Sequence, residues 1–528
     1  MIILNVLGLP LPIEQRKIKH MKKLQLLCIG LLSFSTIYGQ DISDALRYSQ
    51  DDIQGTARFR ALSGAFGALG GDMSAVSINP ASSAVFSQSH ASFSVGNAEL
   101  NNDTRYFNGS GSTNDSNFDL TQGGASFVFK NTSNSPWRKF TIGVAYDRTN
   151  NFDDSWFAVG TNTNSDNFNN TISSYFFDYA NGLRLDEISA FPNETLDQAY
   201  QNIGNDLGFA HQQAFLGYES FILQPEDENA DDNTSYLLNV AEGNFNHDYT
   251  YLSTGYNGKI AVNLAAQYND NLYLGLNLNS HFIDYDRSTL LFEDNNNAGS
   301  IISDVEFENN LSTRGSGFSF QLGGILKLTN EFRVGLTYDS PTWYTIEEET
   351  SQFLGTVGDD GAPINVSINP QVINIYPSYR LQTPSRITGS AAYVFGQKGL
   401  ISFDYSTKNY GATKFRPDRD FTGLNADVSD VLTTAATYRL GGEYKHKQFS
   451  FRGGYRFEES PYVDGVTIGD LNGFSLGFGY NFGNTKLDIT YDKWERTDET
   501  PLYNVGLIDA ATINRENSNI TLTLAFNI

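Results

Sequence analysis

"FSLGFGYNF", residues 474 to 482, alternates without a break. Phe474, Leu476, Phe478, Tyr480 and Phe482 fall on one face of an extended chain; Ser475, Gly477, Gly479 and Asn481 fall on the other. A period of two held this long describes a β-strand whose two faces meet different surroundings. The pattern recurs. "KLDITYD" (486–492) sets Leu487, Ile489 and Tyr491 against Lys486, Asp488, Thr490 and Asp492. "FSFRGGYRF" (449–457) sets Phe449, Phe451, Tyr455 and Phe457 against Arg452 and Arg456. "EFRVGLTYD" (331–339), "NLYLGLNLN" (271–279) and "LISFDYS" (400–406) follow the same scheme.

The question is which face meets what. In a soluble sandwich the apolar face is the core and the polar face is wet. In a membrane-spanning barrel the apolar face meets lipid and the other lines a polar lumen. The polar faces here are rich in Gly and other small residues, which suits a crowded lumen. The chain also ends inside a strand, "NITLTLAFNI" (519–528), with Ile520, Leu522, Leu524, Phe526 and Ile528 on one face. No Pro/Gly/Ser linker divides the chain into the several domains that a sandwich of this size would need.

Composition agrees. The 528 residues carry a net charge of −25, 38 Phe, 29 Tyr, 48 Gly and a single Cys. Mean hydropathy is −0.35, which excludes a bundle of membrane-spanning helices. The acidic balance excludes nucleic acid as a partner, because phosphate binding needs a basic surface. Residues 1–39 read as a secretory signal peptide: Lys22 and Lys23 precede a short apolar run from Leu24 to Phe34, with cleavage expected near Gly39–Gln40. Met21 fits that pattern as the true start. Cys28 lies within the apolar run behind Leu27, which is not the small residue a lipidation motif requires. The processed chain then has no cysteine, hence no disulfide and no thiolate site.

From residue 88 onward the alternation predicts roughly 14 strands. Some connections are tight: 268–273, 328–333, 396–399 and 482–486. Others are long and rich in Asp and Asn: 293–300, 354–365 and 416–430. Residues 150–250 show no clean strand. They carry a helical period instead, with Leu196, Tyr200, Ile203 and Leu207 three or four apart, and are expected to form an external, partly helical insert. The fold class is therefore all-β: a transmembrane antiparallel barrel, with residues 40–87 as an N-terminal, partly helical hatch plugging the lumen and 88–528 as the barrel with its insert.

The hatch is the other informative stretch. "SGAFGALGGDMSAVSINPASSAV" (63–85) is built of small residues, with Gly64, Gly67, Gly70 and Gly71 crowding its first half. Asn79 is placed to cap a helix that has Pro80 at its first position, and Asp72 can do the same for the turn that follows it. A soft, non-strand segment cannot lie in lipid with unsatisfied backbone, so it must fill the lumen. The Gly/Ala-rich run Gly64–Gly71, then Asp72 to Ile78, then Asn79-Pro80-Ala81, resembles the N-terminal hatch of the FadL/TodX family of outer-membrane transporters of long-chain fatty acids and other hydrophobic compounds. The loops and insert look most like the branch found in Bacteroidetes-type bacteria. The resemblance is specific in the hatch and architectural beyond it.

That resemblance implies an integral outer-membrane protein of a Gram-negative bacterium, a monomer placed by the barrel-insertion machinery, surrounded by outer-membrane lipid. It implies passive transport of a hydrophobic small molecule through an apolar pocket, past the hatch, and sideways through a gap where the third strand kinks. Asn150 and Asn151, which interrupt the alternation in "DRTNNFDD", are the candidates for that kink. Candidate ligand contacts are Phe59, Phe66, Leu69, Met73, Val76 and Ile78; the same residues also read as packing of the plug against the wall. For Asn79, Pro80 and Ala81 a structural cap is the expectation.

No cofactor, metal or catalytic residue is expected. Of the five histidines after the signal segment (His90, His211, His247, His281, His446) no two stand four apart, and no G-x-S-x-G occurs. "GALGGD" follows no strand of a βαβ unit and lacks the lysine of a phosphate loop. The acidic cluster of Glu226-Asp227-Glu228 with Asp231 and Asp232 reads as solvated loop charge, with weak surface Ca²⁺ binding as the other reading. The alternatives to transport of hydrophobes are a structural or interaction protein working through acidic external loops, a haem-binding receptor, in which His90 is the first ligand to inspect, and a general porin.

Overall fold

The computed structural model describes residues 40–165 and 169–528. The signal-peptide reading and Cys28 lie outside them.

Successive strands pair antiparallel into one closed barrel of 14 strands. They are β1 (His90–Tyr106), β2 (Gly109–Lys130) and β3 (Trp137–Asn151, continued by Asp154–Asn162). Next come β4 (Phe245–Tyr268), β5 (Leu272–Asp294) and β6 (Ile302–Lys327). Strand β7 comprises Phe332–Asp339 and Trp343–Asp359. Strand β8 is broken into Pro363–Ile368, Asn374–Ile375, Tyr379–Gln382 and Arg386–Val394. The circuit runs on through β9 (Gly399–Asn409), β10 (Thr434–His446), β11 (Phe449–Glu458) and β12 (Leu471–Asn481). It ends with β13 (Thr485–Pro501) and β14 (Ala510–Asn527). Strand β14 closes the circle on β1, from His90↔Asn527 to Arg105↔Thr512.

The faces are inverted relative to a water-soluble protein. Phe474 and Leu476 are 43% and 59% exposed, while Ser475 between them is 2% exposed. The same holds around the circle. Phe140, Ile142 and Val144 of β3, Ile260, Val262 and Leu264 of β4, and Leu274 and Leu278 of β5 all face outward and exposed. Inside, Ser94, Gln122, Thr141, Asn263, Asn277 and Gln321 are buried. Each large outward side chain is worth about 1.5–3 kcal/mol when removed from water, so this surface is stable against hydrocarbon and not against water. The apolar belt has an edge. Outward positions of β5 change from Leu274, Leu278 and Phe282 to Asp284, Asp286 and Ser288, and Arg314 of β6 bridges Asp284 and Asp286 at 3.1 Å each.

Both barrel ends lie at one rim, where all the connections are short. The tight turns expected at 268–273, 328–333, 396–399 and 482–486 are all there. The opposite rim carries the long connections. Residues 354–365 depart from the expected loop: they form a hairpin, Leu354↔Ile368 to Asp359↔Pro363, because β-branched residues extend the ladder up to the Asp359–Pro363 turn. The expectation of a strandless 150–250 also needs correction. Asp154–Asn162 is a strand paired with β4, and β4 itself starts at Phe245. Between them lies a helical lid.

The lumen is filled from the N-terminus. Helix α1 (Ile42–Arg47) carries a capping box, Asp41 with Asp44. Helix α2 (Ala57–Ala61) is capped by Thr56, whose hydroxyl accepts from the Phe59 amide at 3.2 Å. Two 3₁₀ turns follow, Ser74–Ser77 and Pro80–Val85. Asp72 accepts from the Ser74 amide at 3.0 Å, and Asn79 from the Ala81 amide at 3.1 Å. The hatch docks on the polar wall through Arg58 to Glu443 (2.9 Å) and Arg60 to Asp492 (2.8 Å). Asp404 of β9 accepts from the amides of Phe66 and Gly67, each at 2.9 Å. A Cβ on Gly67 would stand 2.0 Å from Ser390 Oγ, and Gly70 has φ +65°. These two glycines answer close approach and a left-handed turn.

Candidate functional site: a lidded cavity above the hatch

The lid is built from α3 (Ile172–Ala180), α4 (Leu196–Asp206) and α5 (Phe209–Glu219). The expected helical period materialises in α4, with Tyr200 and Ile203 buried. Leu207 is the residue just past its end. A buried polar cluster pins the lid to the barrel. Glu293 of β5 accepts from Thr171 Oγ1 (2.6 Å) and from the Ile172 amide (2.7 Å), the N-terminus of α3.

Between lid and hatch lies a cavity of about 1230 Å³, large enough for a drug-sized or lipid-like molecule. Its floor is α1 and residues 50–52. Its walls include Tyr249, Tyr251, Tyr285 and Trp494, and its roof Tyr175, Tyr179, Phe209 and Tyr503. Trp156 stacks on Tyr251 at 5.4 Å and tilts against Tyr249 at 5.3 Å. A sixth helix, α6 (Thr422–Val431), adds Leu424 from the side, next to Phe421.

Four arginines line this space. Arg47 pairs with Asp44 and lies 4.5 Å over the Tyr285 ring. Arg496 pairs with Asp498 at 2.8 Å. Arg515 pairs with Asp154 at 2.6 Å and with Asp498 at 2.8 Å. Arg287 differs: its Nε is buried with no hydrogen-bond partner, and it forms no ion pair among the described residues. The indole Nε1 of Trp494 and the hydroxyl of Tyr503, both lining the cavity, are likewise without a partner. All three are donors; Gln40 Oε1, which also lines the cavity, is an acceptor without a partner.

The hatch residues singled out by sequence lie beneath the cavity, and none of the six apolar ones lines it. Phe59 and Phe66 meet at 5.5 Å in a cluster with Leu62, Leu69, Ala392 and Leu400, with Ile78 packed against it. Met73 packs with Phe86 and Ala145. Val76 is buried, and its carbonyl accepts from Asn277. Asn79 Nδ2 donates to the carbonyls of Gly67 (2.7 Å) and Gly324 (3.1 Å), tying the hatch to itself and to β6. The floor is formed instead by residues of Gln40 to Asp52, mostly polar, with Ile42 and Leu46 among them. The signal available was the capping pair Asp41 and Asp44 just after the cleavage region.

Asn150 and Asn151 stand where β3 leaves β2. The β2–β3 ladder ends at Gln122↔Asp147. Strand β3 stays paired with β4, through an irregularity between Arg148 and Asn150, with Asn150 opposite Asn257 and Asn151 opposite Tyr256. After a break at Phe152 and Asp153, its continuation runs behind the β1–β2 hairpin. There Thr113 and Thr104 donate to the carbonyls of Ser155 and Phe157, both at 2.6 Å. Residues 109–121 of β2 thus have no ladder on that side, and the cavity reaches Asn150 to Asp154.

No histidine is among the lining residues. His90 stacks on Phe86 at 4.6 Å and bonds to Asn527 at 3.0 Å, at the rim holding the chain ends. Among the described residues no group of three or more His, Cys, Asp or Glu is placed to hold a metal ion.

No family model matches the chain, and no curated protein matches it. Solved structures do. A FadL homologue of Pseudomonas aeruginosa superposes with a TM-score of 0.52 at 12% identity, over 91% of this chain and 99% of that one. The toluene transporter TodX of Pseudomonas putida gives 0.50 at 12% identity, over 90% and 99%. At such identity the likeness is one of fold, and it covers nearly all of both chains: the protein is a hatch-plugged, 14-stranded barrel with the fold of the FadL and TodX structures.

Proposed function

We propose that the protein carries hydrophobic molecules passively across the outer membrane of a Gram-negative cell, with the lid outside and the chain ends at the periplasmic rim. The observation that carries this reading is the cavity. It is roofed by a lid, floored by a hatch that fills the lumen, lined by aromatic rings, and adjacent to a stretch of wall without a ladder. A polar outer layer repels hydrophobes, and aromatic rings in the wall and roof of an otherwise mostly polar cavity lower that barrier. The ligand enters beneath the lid, rests on the rings, and leaves sideways where β3 parts from β2.

Three unpartnered donors in such a cavity favour an amphiphile with an oxygen-bearing head over a bare hydrocarbon. Buried donors are otherwise costly to leave unsatisfied. The hatch argues against a general porin, which needs an open water path. The test is direct: purified protein is assayed for a co-extracted lipid-like ligand, and for binding of added long-chain carboxylate and added toluene. If neither probe binds and nothing co-purifies, the transport reading fails.

A further inference from the structure

The wall beside the cavity has a seam, and side chains close it. Asp115, Asn117 and Asp119 sit at alternate, inward positions of β2, above the last β2–β3 pair. Each reaches a different residue of β3 around its break, from Arg148 to Ser155. Asp115 accepts from Ser155 Oγ, Asn117 donates to Asp153, and Asp119 takes the guanidinium of Arg148. Arg148 is 5% exposed. It also donates to Asn151 Oδ1 at 2.6 Å and lies 5.4 Å from the Tyr256 ring, at the edge of the apolar belt. The neighbouring residue is held by the hatch: the Asp52 amide donates to the Thr149 carbonyl at 2.8 Å.

We propose that this row is a latch, with Arg148 on Asp119 as its main bar, and that it holds the lateral route shut while the cavity is empty. The inference rests on the lateral exit proposed above. The physical reason is a difference between the two ways of closing a wall. A backbone ladder cannot part next to lipid without leaving N–H and C=O groups unsatisfied. Side-chain pairs at the belt edge can part and bond to water instead. Arg148 therefore closes the seam where a ladder bond would make it permanent. Because Thr149 is bonded to Asp52, a ligand that displaces residues 50–52 from the cavity floor pulls on the segment carrying the bar.

The test uses the full-length barrel in liposomes with a BODIPY-labelled dodecanoate as probe, reading binding and delivery into the bilayer separately. Arg148→Ala and Asp119→Ala are expected to raise the delivery rate several-fold with the Kd for the probe unchanged. The exchange pair Arg148→Asp with Asp119→Arg is expected to return the rate towards wild type. In a protein with Arg148→Cys and Asp119→Cys, a short thiol-to-thiol cross-linker is expected to abolish delivery and leave binding intact. Delivery that proceeds equally fast after cross-linking overturns the latch, as does an unchanged rate in both alanine variants. A wild-type protein that neither binds nor delivers the probe overturns the transport reading instead.

Discussion

His247 Nε2 lies 2.7 Å from a carboxylate oxygen of Glu293, and both side chains are buried beneath the lid. The same carboxylate caps helix α3, and the other ring nitrogen of His247 meets the Tyr106 hydroxyl at 3.1 Å. One side chain thus joins β4, β5 and the lid. Glu293→Ala removes the carboxylate that Thr171, the Ile172 amide and His247 all bond to and is expected to cost the lid about 3 kcal/mol of local stability. Amide exchange in residues 172–180 should rise by at least tenfold, while the heat-dependent gel shift of the barrel stays the same. Unchanged exchange would show that apolar packing alone holds the lid.

The lid should also respond to pH through His211. Burial holds this imidazole below its ordinary range, and the Glu187 carboxylate at 3.6 Å opposes the shift without reversing it. A depressed folded value means that the native lid prefers the neutral ring. Its contribution is present above the unfolded value of about 6.5 and is lost as pH falls through that value and towards the folded one. Limited proteolysis between residues 163 and 244 is expected to speed up from pH 7.5 to pH 5.5, and His211→Asn should flatten that dependence.

Asp404 receives two hatch amides at the bend around Gly67. Asp404→Ala strands both donors in the lumen, at a cost of about 2–3 kcal/mol. Planar-bilayer recordings should then show transient openings to small ions that the wild type lacks. Deleting residues 64–81 should make such leakage continuous, and uptake of the hydrophobe should stop.

Arg287 gives the sharpest reading of ligand class. Arg287→Met keeps most of the side-chain bulk and removes the charge. Affinity for a long-chain carboxylate is expected to fall by tenfold or more, and affinity for toluene to stay within about twofold. Equal losses for both would assign Arg287 to packing.

Much of this architecture was legible in the sequence, for a definable reason. Alternation such as Phe474, Leu476, Phe478 against Ser475, Gly477, Gly479 is a local property, and a barrel stave needs nothing more to declare its two faces. The caps at Asp72 and Asn79 are local as well. The cavity was not legible, because its floor and roof come from Arg47, Arg287 and Tyr503, brought together only by closure of the circle. The hairpin at 354–365 was hidden by Asp and Gly residues that serve equally in a loop. The strand at Asp154–Asn162 was hidden because its partner lies more than eighty residues away, across the lid.

The ion pairs Arg58–Glu443 and Arg60–Asp492 have one more consequence. Among the described residues, the one covalent link from residues 40–87 to the barrel is the entry into β1. The hatch is in effect a ligand of its own barrel, bound through its two arginines, through its amides on Asp404 and through Asn79, and held at high effective concentration by its tether into β1. Its residence in the lumen is an affinity with an off-rate and a salt dependence, and molecules that arrive in the cavity compete with it on those terms.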